Sequence, residues 1–200
     1  MLDLRRRHAE LDSAEAASGD EDAVLRQGQG ERDGEQRHAP KIENRGVDVF
    51  NLFAEHEWDN EQERDGYRHR AAVIGPRLGG ALLGGSLYEL PPGESTWPYH
   101  YEHGSEEWLL VVAGRPTLRT PEGSRELEPG DVAVFPEGPP GAHKVTNATD
   151  EVVRVVIFSS KSPFAVVAYP DSGKVGLWTR EDGYVGLVRD EPKLDYWDGA

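Results

Sequence analysis

Four side chains in the middle of this 200-residue chain, His100, Glu102, Glu107 and His143, are of types that hold a transition-metal ion. Three of them lie in the stretch GESTWPYHYEHGSEEWLLVVAG, Gly93 to Gly114. Side chains alternate faces along an extended strand, so His100 and Glu102 point the same way and His103 points oppositely. A turn at Gly104-Ser105 would bring Glu107 back beside that pair on an adjacent strand, with Leu109 and Val111 sharing its face. The fourth, His143, comes from GDVAVFPEGPPGAHKVTN, Gly130 to Asn147, at the start of a strand after a Gly- and Pro-rich turn. Two imidazoles and two carboxylates form a nitrogen and oxygen site suited to one divalent ion, Fe, Mn, Zn, Ni or Co, with coordination positions left open. A bulge that swung His103 inward would let it replace Glu102. Without a metal, the same residues are ordinary polar groups at the mouth of a fold.

Cysteine is absent, so thiolate metal sites, iron-sulfur clusters, disulfides and cysteine nucleophiles are excluded. The formal charge of -15 repels phosphate backbones and anionic lipid, and the expectation is no nucleic-acid and no membrane partner. No run approaches the roughly 18–20 apolar residues that span a bilayer, and the start MLDLRRRHAELD lacks the apolar stretch of a signal peptide. The expected location is the cytoplasm.

The elements that must position the site are strands. Residues 1–46 are rich in Asp, Glu, Arg, Gly and Gln, with no aromatic before Phe50, and read as a disordered acidic and polar tail. From Val47 to the end, 47–200, short apolar runs alternate with turn signals such as PPGE, AGRP, EPGD, PEGPPG and YPDSG, the pattern of one all-β barrel or sandwich domain. Twelve strands are predicted: Arg68–Ile74, Ala81–Glu89, Ser95–His103, Glu107–Ala113, Thr117–Arg119, Arg125–Leu127, Val132–Phe135, His143–Asn147, Val152–Ser159, Phe164–Ala168, Val175–Leu177 and Tyr184–Leu187. No helical period follows Val47. Trp97, Tyr99, Tyr101 and Trp108 read as core or dimer-interface packing.

These residues resemble the two motifs of the cupin family. Gly93, His100, Glu107 and Gly114 fill the first, and Gly130, Pro136, Gly138, His143 and Asn147 fill the second, in order. Glu102 stands where the family carries a second histidine, Gly93 lies one residue further from His100 than is usual, and Pro139 and Pro140 lengthen the second motif. The resemblance implies a double-stranded β-helix, or jelly-roll barrel, with one metal ion held by His100, Glu102, Glu107 and His143. It also implies a small oxygen-bearing ligand or substrate such as a carboxylate, diketone or sugar. The family spans oxygenases, decarboxylases, lyases, isomerases and non-catalytic binding or sensing modules, so it names no single reaction. A homodimer is expected.

Overall fold

The computed structural model describes residues 47–179, 183–190, 195, 197 and 199. The expected tail, 1–46, lies outside the described residues. Among the described residues thirteen strands run in chain order: β1 Asn60–Gln62, β2 His69–Val73, β3 Leu83–Leu90, β4 Tyr101–His103, β5 Glu107–Ala113, β6 Thr117–Thr120, β7 Gly123–Glu126, β8 Val132–Phe135, β9 Lys144–Thr146, β10 Val153–Ser160, β11 Phe164–Tyr169, β12 Lys174–Thr179 and β13 Gly183–Arg189. A one-turn helix α1, Ile74–Arg77, follows β2, and a 3-10 turn spans Pro139–Gly141. All pairings among these strands are antiparallel, in three sheets ordered β1-β2-β3-β10-β5-β8, β13-β12-β11-β4 and β7-β6-β9.

The six-stranded sheet separates two apolar layers. Its inner face contributes Leu90, Leu109, Val111, Phe135, Val153, Val155 and Ile157 to a core closed by Leu118, Leu127 and Val145 from the strands opposite. Its outer face carries Ala72, Leu87, Val112 and Val156, covered by Phe50, Leu52 and Trp58 from the leading segment. Because side chains alternate, residues two apart share a face, and the inner face changes character along each strand. On β3 it runs Ser86, Tyr88, Leu90; on β5 Glu107, Leu109, Val111; on β10 Val155, Ile157, Ser159. Glu107 pairs with Ser159 in register. One end of the interior is therefore apolar and sealed, and the other is polar.

Three expectations are corrected. The two strands of the first motif, Ser95–His103 and Glu107–Ala113, were expected side by side, but β4 pairs with β11 while β5 pairs with β10 and β8. The chain crosses between sheets at Gly104, whose φ of 85° and close approach to the Phe164 carbonyl, 2.8 Å from where a Cβ would stand, admit glycine alone. The expected strand Ser95–His103 shrinks to β4, since Pro98 interrupts it and only isolated bridges form at Ser95 and His100. The stretch after Val47 also contains the single helical turn α1, which closes the corner before Gly79 and Gly80.

Candidate metal centre

Backbone geometry sets the two imidazoles together. His100 and His143 form an antiparallel bridge in which the His100 amide donates to the His143 carbonyl at 3.1 Å and the His143 amide donates to the His100 carbonyl at 2.8 Å. Their ring centroids lie 4.6 Å apart. His100 Nδ1 is 2.8 Å from the Pro98 carbonyl, and His143 Nδ1 is 3.0 Å from the Gly141 carbonyl. A carbonyl only accepts, so both Nδ1 atoms carry the proton and both Nε2 lone pairs are left for an electrophile. That is how protein metal sites orient their histidines. Phe135 stacks flat beneath His143, centroids 3.6 Å apart, and fixes its ring plane.

Glu107, brought across the interior on β5, faces both rings. Its Oε2 lies 3.7 Å from His100 Nε2 and 3.6 Å from His143 Nε2. One donor atom from each of the three residues lies within 4.8 Å of the others, and both histidines are buried. Metal–ligand bonds of about 2.0–2.2 Å allow two ligands of one ion to stand up to about 4.4 Å apart, so these carboxylate–imidazole separations fit a shared ion. The chemistry of the donor set agrees: two neutral imidazoles and one carboxylate suit a divalent transition metal.

Electrostatics prepare the same state. Burial alone would raise the Glu107 carboxyl, but the facing imidazoles outweigh it and hold its pKa below the ordinary carboxylate value. Burial and the neighbouring His100 push His143 down to about 4, so it is a neutral ligand at physiological pH. Burial likewise opposes charge on His100, yet the Glu107 carboxylate prevails and its pKa lies above the ordinary imidazole value. A proton therefore competes with an arriving cation for the His100 Nε2 lone pair.

Glu102 stands apart from this triad. It shares the interior with it, and burial and then the Glu107 charge push its carboxyl up to about 7. Its wall is that of a cavity of about 390 Å³ also lined by Ser105 and Ser159. His103 is exposed, edge-on to Tyr101, and Glu106 is exposed with its carboxylate accepting from Trp108 Nε1 at 2.7 Å. Of the aromatic group, Tyr99 is buried, Trp97 and Tyr101 are half-buried, and Trp108 is 46% exposed on the outer face. Asn147 closes the second motif structurally: its amide donates to the Leu90 and Glu151 carbonyls at 3.0 and 2.7 Å, and its oxygen accepts from the Thr149 amide.

Tyr88 escapes a reading confined to the two motifs. It lies on the inner face, edge-on to His69 and Trp97, and burial raises its pKa, with Glu107 and Glu102 adding to the shift. The alternation of LGGSLYEL on β3 carries the signal, since it sets Ser86 and Tyr88 on the face of buried Leu90.

This antiparallel barrel, with two motif histidines and a motif glutamate converging inside it, defines the class to which the chain belongs. A family model described as the cupin domain matches residues 86–159, and this match and the cupin-fold structures support a small cupin superfamily protein. A solved sugar phosphate isomerase from a cupin superfamily, from Silicibacter pomeroyi, is similar at 26% identity over 66% of this chain and 82% of its own, with a TM-score of 0.59. A protein of Acidithiobacillus ferrooxidans, provisionally named a sugar phosphate isomerase, shares the fold at 24% identity over 65% of this chain and 82% of its own, also with a TM-score of 0.59. No curated protein matches the chain. Among the described residues, no helix is long and apolar enough to cross a membrane.

Proposed function

We propose that the chain binds one divalent transition-metal ion through His100, Glu107 and His143 and acts there on a small oxygen-bearing molecule of the sugar type. The observation that carries this reading is the pair of Nδ1–H donations to the Pro98 and Gly141 carbonyls, which leaves two Nε2 lone pairs converging with one carboxylate. A bound ion would supply Lewis acidity, polarising an oxygen of the ligand. Phe135 holds the His143 ring, and the apolar core beneath seals the site from bulk water on that side. Glu102, on the same interior but outside the triad, is the carboxyl left to exchange a proton with the ligand. The name of the Silicibacter relative supports a sugar-type ligand and favours isomerisation among the reactions open to this fold.

The test is a pairing of ion content with turnover. Protein freed of metal and reloaded separately with Fe, Mn, Zn and Ni is assayed for aldose–ketose interconversion by proton NMR in deuterated water. Ion-dependent exchange of a sugar C–H proton is expected, abolished in His143→Ala together with ion binding. Failure of every ion to bind would refute the reading, and ion binding without exchange of any sugar proton would refute its catalytic part.

A further inference from the structure

Beside the polar end of the interior lies a cavity of about 390 Å³, inside the roughly 300–1,000 Å³ range of small-molecule sites. Four strands and the segments that join them build it. The end of β10 and the turn after it bring Ser159, Ser160, Lys161 and Ser162 in succession; the crossing from β4 to β5 brings Glu102 and Ser105; β11 and β12 bring Phe164 and Trp178. The link to the triad is direct, since Ser159 is the register partner of Glu107 and shares its face.

We propose that this cavity seats the hydroxylated carbon chain of an uncharged sugar or polyol, with Trp178 as the apolar platform for its C–H face. The inference rests on the function proposed above and narrows its ligand. Ser105 Oγ donates to the Ser160 carbonyl at 3.1 Å and Ser160 Oγ accepts from the Glu106 amide at 3.0 Å, so the first offers its lone pairs and the second its proton, and the row together matches a ligand that both donates and accepts along its carbons. A carboxyl such as Glu102 hydrogen-bonds a hydroxyl in either protonation state. An indole offers a flat apolar face to the C–H edges that hydroxyls leave bare. An anionic ligand fits less well. The one basic side chain in the lining is Lys161, whose Nζ donates to the Gly80 carbonyl at 2.7 Å, while Glu107 stands beside the cavity in a chain of net charge -15. Phosphate recognition ordinarily gathers several cations or amides, and this wall gathers hydroxyls and a carboxyl.

Intrinsic tryptophan fluorescence and ligand-observed NMR, on the full chain with and without ion, test this. The probes are free pentoses, hexoses and their alditols, each beside its phosphate ester. The expected result is saturable binding of a free sugar or alditol, tighter than its phosphate ester, and weakened about fivefold or more in Trp178→Leu and in Ser159→Ala. Both variants should keep wild-type thermal unfolding and, since neither residue is a ligand, wild-type ion content. Tighter binding of the phosphate ester, or saturation unaffected by both substitutions, would overturn the inference and leave the metal reading standing. Absence of binding by any uncharged probe would do the same. A protein that takes up no ion yet binds the uncharged probes through Trp178 would refute the metal reading and uphold this one.

Discussion

Replacing Glu102 by Gln should stabilise the ion-free protein at pH 8 and leave it nearly unchanged at pH 4. The buried carboxyl beside Glu107 has its pKa pushed from the ordinary 4.5 to about 7. A group whose folded pKa is raised contributes stability below its unfolded value and loses it as pH climbs through the folded value. The window is therefore pH 4.5 to 7. A displacement of that size, at 1.36 kcal/mol per unit, corresponds to about 3 kcal/mol by which the ionised Glu102 destabilises the fold at pH 8. Gln keeps the shape beside Ser105 but cannot ionise, so it removes that contribution. Urea denaturation of chelator-treated wild type and Glu102→Gln at pH 4 and pH 8 measures it. For a domain of this size, about 3 kcal/mol is about 6–12 °C in Tm. An equal change at both pH values, or a loss of stability at pH 8, would show that Glu102 does not lie in a buried field set by Glu107.

Other consequences follow from the same geometry. Gly141→Ala would set a Cβ 1.8 Å from the Pro136 carbonyl, so the turn that receives the His143 Nδ1 proton must shift; ion affinity, read by competition with a chelator, should fall about 10–100-fold. A proton favoured on His100 by Glu107 competes with the ion, so ion affinity, read by chelator competition across pH, should weaken as pH falls. His143 acts in the opposite sense to Glu102 on ion-free stability: its pKa of about 4 lies below the unfolded value, so its contribution is full above pH 6.5 and is lost as pH falls through 4. In His143→Gln, the acid limb of the stability–pH curve should flatten. Asn147→Ala should cost about 2–4 kcal/mol in chemical denaturation, because the buried Leu90 carbonyl and its neighbours lose their donor.

Much of the barrel was legible because its signals are local. Glu107–Ala113 and Val132–Phe135 coincide with β5 and β8, since alternating apolar runs end at Gly and Pro turns. β1, Asn60–Gln62, was not legible: NEQ carries no strand preference and forms only by pairing with β2. Strand partners were not legible either. The parity of His100 and Glu107 directed both inward, but the hairpin imagined between them replaces a contact made across the interior, and the bridge joining His100 to His143 spans two motifs. Parity also grouped Glu102 with His100, and both do face the interior. What parity cannot supply is depth along the strand, and two residues further on Glu102 has passed from the triad to the cavity wall. Tyr88 and the serines of β10 matter because sheet pairing carries them to the polar end of the interior.

The central claim is an ion held by His100, Glu107 and His143, and elemental analysis of protein purified without added metal tests it most directly. The account predicts close to one equivalent of a divalent transition metal in the wild type, recovered on reconstitution, retained in Glu102→Ala and lost in Glu107→Ala and His143→Ala. Less than about a tenth of an equivalent that reconstitution does not raise would contradict it.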